Sequence, residues 1–68
     1  MQISARNQLR GTIKSIRSGT IMAEVIVDVG GQEVVSAITK ASVEGLDLKD
    51  GEQVVVVIKS TEVMIAKP

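Results

Sequence analysis

Residues 21–29 place an apolar side chain at every second position, which is the pattern of a half-buried β-strand. The pair Gly30-Gly31 follows at once and suits a two-residue hairpin turn, because glycine adopts positive φ without steric cost. Residues 32–39 then resume the pattern as a return strand. These three observations predict an antiparallel β-hairpin in the centre of the chain.

Strands are also predicted on both sides of this hairpin. In residues 9–17 the apolar rhythm slips by one position between Ile13 and Ile16, which indicates a bulged or strongly bent strand. Residues 54–58 are apolar on both faces, as in a strand that is covered on both sides. In so short a chain we expect the second cover to come from another subunit. A last short strand is expected over residues 62–66.

One short helix interrupts the strands. Residues 39–48 lose the period of two, and residues 40–44 fit a single helical turn that Gly45 ends. Asp50-Gly51 marks a further turn. The resulting order predicts one all-β domain over residues 1–68, a five-stranded OB-type Greek-key barrel with one short helix between strands 3 and 4.

The composition restricts how such a domain can be stabilised. The 68 residues include no Cys, no His and no aromatic residue. Domains of this size bury only about 60% of the surface of the unfolded chain and compensate with disulfides, a structural metal or oligomerisation. Without Cys and His the first two routes are closed, and aliphatic side chains must form the core alone. We therefore expect a homo-oligomer.

The charge balance restricts the partners. Eight Lys plus Arg offset eight Asp plus Glu, so the formal net charge is zero. Such a chain has no overall field that would attract nucleic acid or an anionic membrane. No stretch approaches the roughly 20 apolar residues of a membrane span, and the N-terminus lacks a secretory pattern. We expect a cytoplasmic protein with neither kind of partner, in which any anion site is local.

Three short polar segments carry the donors that a tetrahedral oxyanion requires, namely hydroxyl groups, backbone N–H groups and a few cations. Residues 4–8 precede the first strand, residues 59–61 follow the valine-rich strand, and residues 39–42 span the start of the short helix. Each segment also fits a simpler interpretation: a solvated strand leader, an exposed charge at a strand end, and a helix-capping pair. Composition alone leaves both interpretations open.

Four longer segments favour the binding interpretation by resemblance. SARNQLRGTI at 4–13, AEVIVDVGG at 23–31, TKASVEGLDL at 39–48 and VVVVIKSTEVMIA at 54–66 resemble the molbindins, the small molybdate-binding proteins called Mop. The same unit is similar to the TOBE domains appended to molybdate-responsive regulators and to molybdate-transporter ATPases. Here nothing is attached, so the free-standing form is expected.

This resemblance implies an OB-type subunit that assembles as a hexamer, a trimer of dimers, and binds molybdate or tungstate between subunits for intracellular storage. It implies no catalytic cofactor, and molybdenum is bound only as an oxyanion. At least one polar segment is expected to come from a neighbouring subunit. Carried onto matching positions, the oxyanion-binding residues are Ser4, Ala5, Arg6, Thr39, Ser42, Lys59 and Ser60.

Other functions are less well supported. Catalysis is not expected, because the chain has no His or Cys and no activated nucleophile. An OB-type nucleic-acid-binding module would use stacking aromatics and a basic groove, and both are missing. This module and a purely structural oligomerisation module, in which the Ser and Arg positions only pack, remain as the alternatives.

Overall fold

The computed structural model describes the whole chain from Met1 to Pro68 and is mostly β-structure with one short helix. The four strands form one antiparallel sheet in the order β3-β2-β1-β4. None of the helical segments combines the length and the apolar character needed to cross a membrane. In chain order the elements are β1 (Asn7–Ser18), β2 (Met22–Val29), β3 (Gln32–Thr39), α1 (Lys40–Gly45), β4 (Gln53–Ile58) and a 3₁₀ turn (Ser60–Glu62).

β2 and β3 form the predicted hairpin, with Val29 opposite Gln32. Gly30 and Gly31 make the turn at φ values of 58° and 88°, a region of backbone conformation that favours glycine. Asp28 Oδ1 accepts a hydrogen bond of 3.0 Å from the Gly31 N–H group. A strand residue therefore holds the turn in place, and the hairpin prediction is confirmed.

β1 is the long central strand and belongs to both halves of the sheet. Its first half pairs with β4 and its second half with β2. The register with β2 shifts between Ile13 and Ser15, which confirms the predicted bulge and leaves Lys14 as the extra residue. The Lys14 ammonium donates to the Glu33 carboxylate on β3. That hydrogen bond and the charge of Glu33 raise the pKa of Lys14 above its usual value.

The core is thin and wholly aliphatic, as the composition predicts. Five residues are buried, and they come from three elements on the inner side of the sheet. α1 covers this side with one of them, and its Lys40 N–H group donates to the Ile21 carbonyl oxygen at 2.7 Å. The buried residues are Ile13, Ala23, Val25, Val27 and Val43.

The predicted fifth strand is not formed in the single chain, and the sheet does not close into a barrel. Residues 63–68, the C-terminal tail, form neither strand nor helix. Their apolar pattern reports only a local preference for extended backbone, whereas a strand also needs a partner with free hydrogen-bonding groups. β3 and β4 therefore remain as sheet edges. The architecture in this structure is an open four-stranded sheet with one short helix.

An apolar trough of about 190 Å³ lies open on the inner side of this sheet. Side chains of all four strands and of the loop after α1 line it. On the second face of β4, Val55 and Val57 are each 38% exposed, so the chain supplies no full cover for that face. In the C-terminal tail, Met64 and Ile65 are 92% and 90% exposed. The single chain thus leaves both an unfilled apolar trough and an unburied apolar tail.

Candidate functional site

Strand pairing brings two of the three polar segments together. The antiparallel ladder between β1 and β4 ends with Asn7 opposite Ile58. Arg6 immediately precedes this pair and Lys59 immediately follows it, so both residues leave the ladder at the same end of the sheet. We call this region, formed by residues 4–6 and 59–60, the cationic end.

The two cations at the cationic end are not neutralised within the chain. The ion pairs of the chain join Lys14 to Glu33 and Lys49 to Asp47, and neither includes Arg6 or Lys59. Both cations are exposed to solvent. Their charges are therefore available to an external anion, which would also relieve the repulsion between them.

Residues 59–62 supply further donors beside Lys59. The 3₁₀ turn is held by hydrogen bonds from the Glu62 N–H group to the Lys59 carbonyl oxygen, 2.9 Å, and from Val63 to Ser60, 3.3 Å. The N–H groups of Ser60 and Thr61 precede these bonds and take no part in them. The Glu62 carboxylate forms no ion pair with either cation.

Thr39 and Ser42, the hydroxyl end, form the third segment. Thr39 is the N-cap of α1, and its Oγ1 accepts a hydrogen bond of 3.0 Å from the Ser42 N–H group. The two hydroxyl oxygens lie 2.7 Å apart, so one O–H group donates to the other oxygen. The pair therefore has one O–H group left to donate to a ligand, not two.

In one chain the hydroxyl end lies far from the cationic end. Thr39 is opposite Met22, and Ala23 is opposite Ser18 at the C-terminal end of β1. Arg6, by contrast, precedes the N-terminal end of the same strand. β1 has 12 residues, and at about 3.3 Å per residue a straight strand of that length spans roughly 36 Å. The bulge shortens this path, but the two ends remain separate parts of the molecule.

None of the three main depressions of the single chain is lined by the predicted site residues. A shallow depression of about 530 Å³ lies at the β1–β4 pair and includes Arg10, Thr12 and Gln53, but none of the predicted site residues. No group of three or more acidic, His or Cys side chains is placed to hold a metal ion. In the single chain the predicted residues therefore lie in two separate groups, the cationic end and the hydroxyl end.

The sequence places Gln8 in the first polar segment but not among the predicted oxyanion-binding residues. Its side-chain Nε2 donates a hydrogen bond of 2.6 Å to the Ala5 carbonyl oxygen. This bond links residues 4–6 to the first residues of β1. The only sequence signal for it is an amide side chain three residues after a small residue, which is too common to be noticed alone.

The chain is a small open β-sheet domain with an unpaired cationic end. Known proteins that contain this kind of domain are similar to it. A family model described as the TOBE domain matches residues 3–65. The chain therefore belongs to the TOBE-domain family. It is 47% identical over 66 residues to molybdenum-pterin-binding protein 3 of Clostridium pasteurianum, which covers 96% of this chain and 97% of that protein.

Solved structures give the same result. A molybdate-binding protein from Sporomusa ovata matches with a TM-score of 0.94 at 46% identity, over 98% of this chain and 100% of that one. The cytoplasmic molybdate-binding protein ModG, in a molybdate-bound form, matches with a TM-score of 0.83 at 38% identity, over 88% of this chain and 43% of that one. The resemblance to the molbindins is confirmed. These names describe binding and not catalysis.

Proposed function

We propose that this chain is a non-catalytic binding protein for molybdate or tungstate that stores the oxyanion in the cytoplasm. The observation that carries the proposal is the cationic end, where Arg6 and Lys59 leave the same strand pair without a carboxylate partner. The names of the relatives supply the identity of the oxyanion.

The chemistry of the cationic end suits a tetrahedral dianion. Such an ion has four acceptor oxygens and no donors, and the cationic end offers a guanidinium, an ammonium, hydroxyl groups and N–H groups. The chain has no aromatic residue that could stack on a pterin ring, so the proposed ligand is the bare oxyanion.

The complete site is proposed to form between subunits. The hydroxyl end of one chain would face the cationic end of its neighbour, so that Thr39 and Ser42 complete the set of donors. This arrangement gives each bound ion contacts with two chains. Ligand and assembly then stabilise each other, because the ion binds only where both half-sites meet.

The same assembly would supply the missing fifth strand. The C-terminal tail is apolar and exposed, and the apolar trough is open beside two free sheet edges. A tail from a second copy that pairs with a free edge would fill the trough and close each sheet into an OB-type barrel. We propose a dimer built in this way and, by resemblance to the molbindins, a hexamer that is a trimer of such dimers.

Calorimetric titration of the purified protein tests the function. We expect heat and saturation with molybdate and with tungstate, and no sequence-dependent binding of single-stranded nucleic acid. A protein that gives no heat with molybdate, tungstate or sulfate would be better described as a structural oligomerisation module. Light scattering on the same sample measures the mass of the assembly.

Arg6→Ala and Lys59→Ala test the residues of the cationic end. Each change removes a charge-assisted hydrogen bond worth about 1.5–3 kcal/mol, so we expect molybdate affinity to fall roughly 10- to 100-fold while the assembly persists. Lys49→Ala is the matched control, because it removes the same charge from a loop where Lys49 already faces Asp47 at 3.5 Å. Unchanged affinity in the first two variants would refute the assignment of these residues.

A further inference from the structure

Gln8 is the one residue whose side chain ties the N-terminal segment to β1. Its Nε2 donates to the Ala5 carbonyl oxygen at 2.6 Å, and no other side-chain hydrogen bond reaches residues 4–6. Ala5 is also the only half-buried residue among the first six. The segment that carries Ser4 and Arg6 is thus held at one backbone atom, the carbonyl oxygen of Ala5, which lies between these two residues.

This hydrogen bond fixes the direction of a donor that does not take part in it. The Ala5 carbonyl and the Arg6 N–H belong to the same peptide group, which is planar and trans, so they point in opposite directions. When the carbonyl is drawn towards Gln8, the Arg6 N–H group must point away from Gln8. The same bond keeps the negative end of the peptide dipole occupied, so that it does not face an incoming anion.

The bond also limits the freedom of Arg6. The chain from Ala5 to Gln8 is closed into a short loop that contains only Arg6 and Asn7, and Asn7 is already fixed by its place opposite Ile58. An unattached leader would have to lose backbone entropy when the ligand binds. With Gln8 in place, part of that ordering exists before the ligand arrives.

We propose that Gln8 is a positioning residue of the oxyanion site, which aims the Arg6 N–H group and the start of the Arg6 side chain at the bound ion without touching it. This inference rests on the proposed function of the cationic end. It assigns to Gln8 a role in affinity for the oxyanion rather than in the stability of the fold, because Gln8 is exposed and at the outer end of the β1–β4 ladder.

Gln8→Met is the test, since Met has a similar length and no charge but cannot donate a hydrogen bond. We expect the dissociation constant for molybdate, measured by calorimetry, to rise about two- to tenfold, which corresponds to one net hydrogen bond. The unfolding midpoint of the ligand-free protein should not change. The order parameter of the Arg6 amide, measured by NMR on the ligand-free protein, should fall, because the short loop that the bond closes becomes more mobile. Gln32→Met, at the distant hairpin turn, is the control and should match the parent in all three measurements.

The outcomes separate this inference from the function on which it rests. If Gln8→Met binds molybdate as tightly as the parent does, the role of Gln8 is overturned and the proposed function is not. If the affinity of Gln8→Met falls and its unfolding midpoint falls to a matching extent, Gln8 has only a structural role. That result would also overturn the proposal. A parent that binds no oxyanion would remove the proposed function and this inference together.

Discussion

Gly11 lies where β1 packs closely against the end of β2 in the hairpin. A Cβ atom at this position would lie 2.6 Å from Val27 Cγ1 and 2.7 Å from the carbonyl oxygen of Asp28. The first contact is with a side chain of the buried core and the second is with backbone, so neither neighbour can move away cheaply. At this residue glycine is required for space, and not for an unusual backbone angle.

Gly11→Ala should therefore destabilise the protein by about 1–3 kcal/mol, the usual cost of extra volume in a packed interior. Gly45→Ala is the control, because a Cβ atom at Gly45 meets nothing within 4 Å, and it should be neutral or slightly stabilising. Urea unfolding at one fixed protein concentration measures both. Equal stability of the two variants would contradict the close approach described at Gly11.

At the scale of elements, α1 depends on its cap more than on its length. The helix has six residues, too few to be stable alone, and Thr39 satisfies the Ser42 N–H group at its start. Only Val43 of this helix is buried. The helix is therefore placed by one hydrogen-bonded cap and one apolar contact.

Thr39→Val should cost about 1 kcal/mol of stability, because it keeps the shape of the side chain but loses the capping oxygen. Thr39→Ser keeps that oxygen and should retain most of the stability. Thermal unfolding without ligand measures the difference. If both variants unfold at the same temperature as the parent, the cap does not stabilise α1 in solution.

The strands and the helix show which parts of the fold could be predicted from the sequence and which could not. The hairpin, the bulge in β1 and the turn of helix were predictable, because each depends on residues adjacent in the chain, such as Gly30-Gly31 and Thr39. The tail strand was predicted but is not formed in the single chain, because an extended segment becomes a strand only when it pairs with free hydrogen-bonding groups of another strand. The donor content of the two segments suggested that Arg6 and Lys59 serve one site. Their place at the same end of one chain could not be predicted, since it depends on the register between β1 and β4, which no local pattern encodes.

At the scale of the whole molecule, the exposed C-terminal tail is the feature that a single chain cannot explain. Ile65 is 90% exposed, and the apolar trough is open to solvent. In an isolated subunit, a charge at Ile65 would cost almost nothing. In the proposed dimer the same charge would be forced into an apolar environment, where it is unfavourable.

Ile65→Asp should therefore lower the mass of the assembly measured by light scattering, and weaken molybdate binding with it. Ile65→Val keeps an apolar, strand-favouring side chain and should leave the mass unchanged. An Ile65→Asp protein that assembles like the parent would show that the tail does not form the subunit contact. The proposed pairing of the tail with a neighbour would then be wrong.

The placement of the cationic end and the hydroxyl end at opposite ends of β1 has a consequence for stoichiometry. Each chain carries one cationic end and one hydroxyl end, which are the proposed half-sites, and the strand registers keep them apart within the chain. In a closed symmetric assembly every half-site meets its complement, so the number of these interchain sites equals the number of chains. In this proposed arrangement a dissociated subunit would hold no complete site. The quantity of oxyanion that such a protein can hold would then depend on protein concentration as well as on protein amount. Dilution below the concentration at which the subunits assemble would release the bound oxyanion.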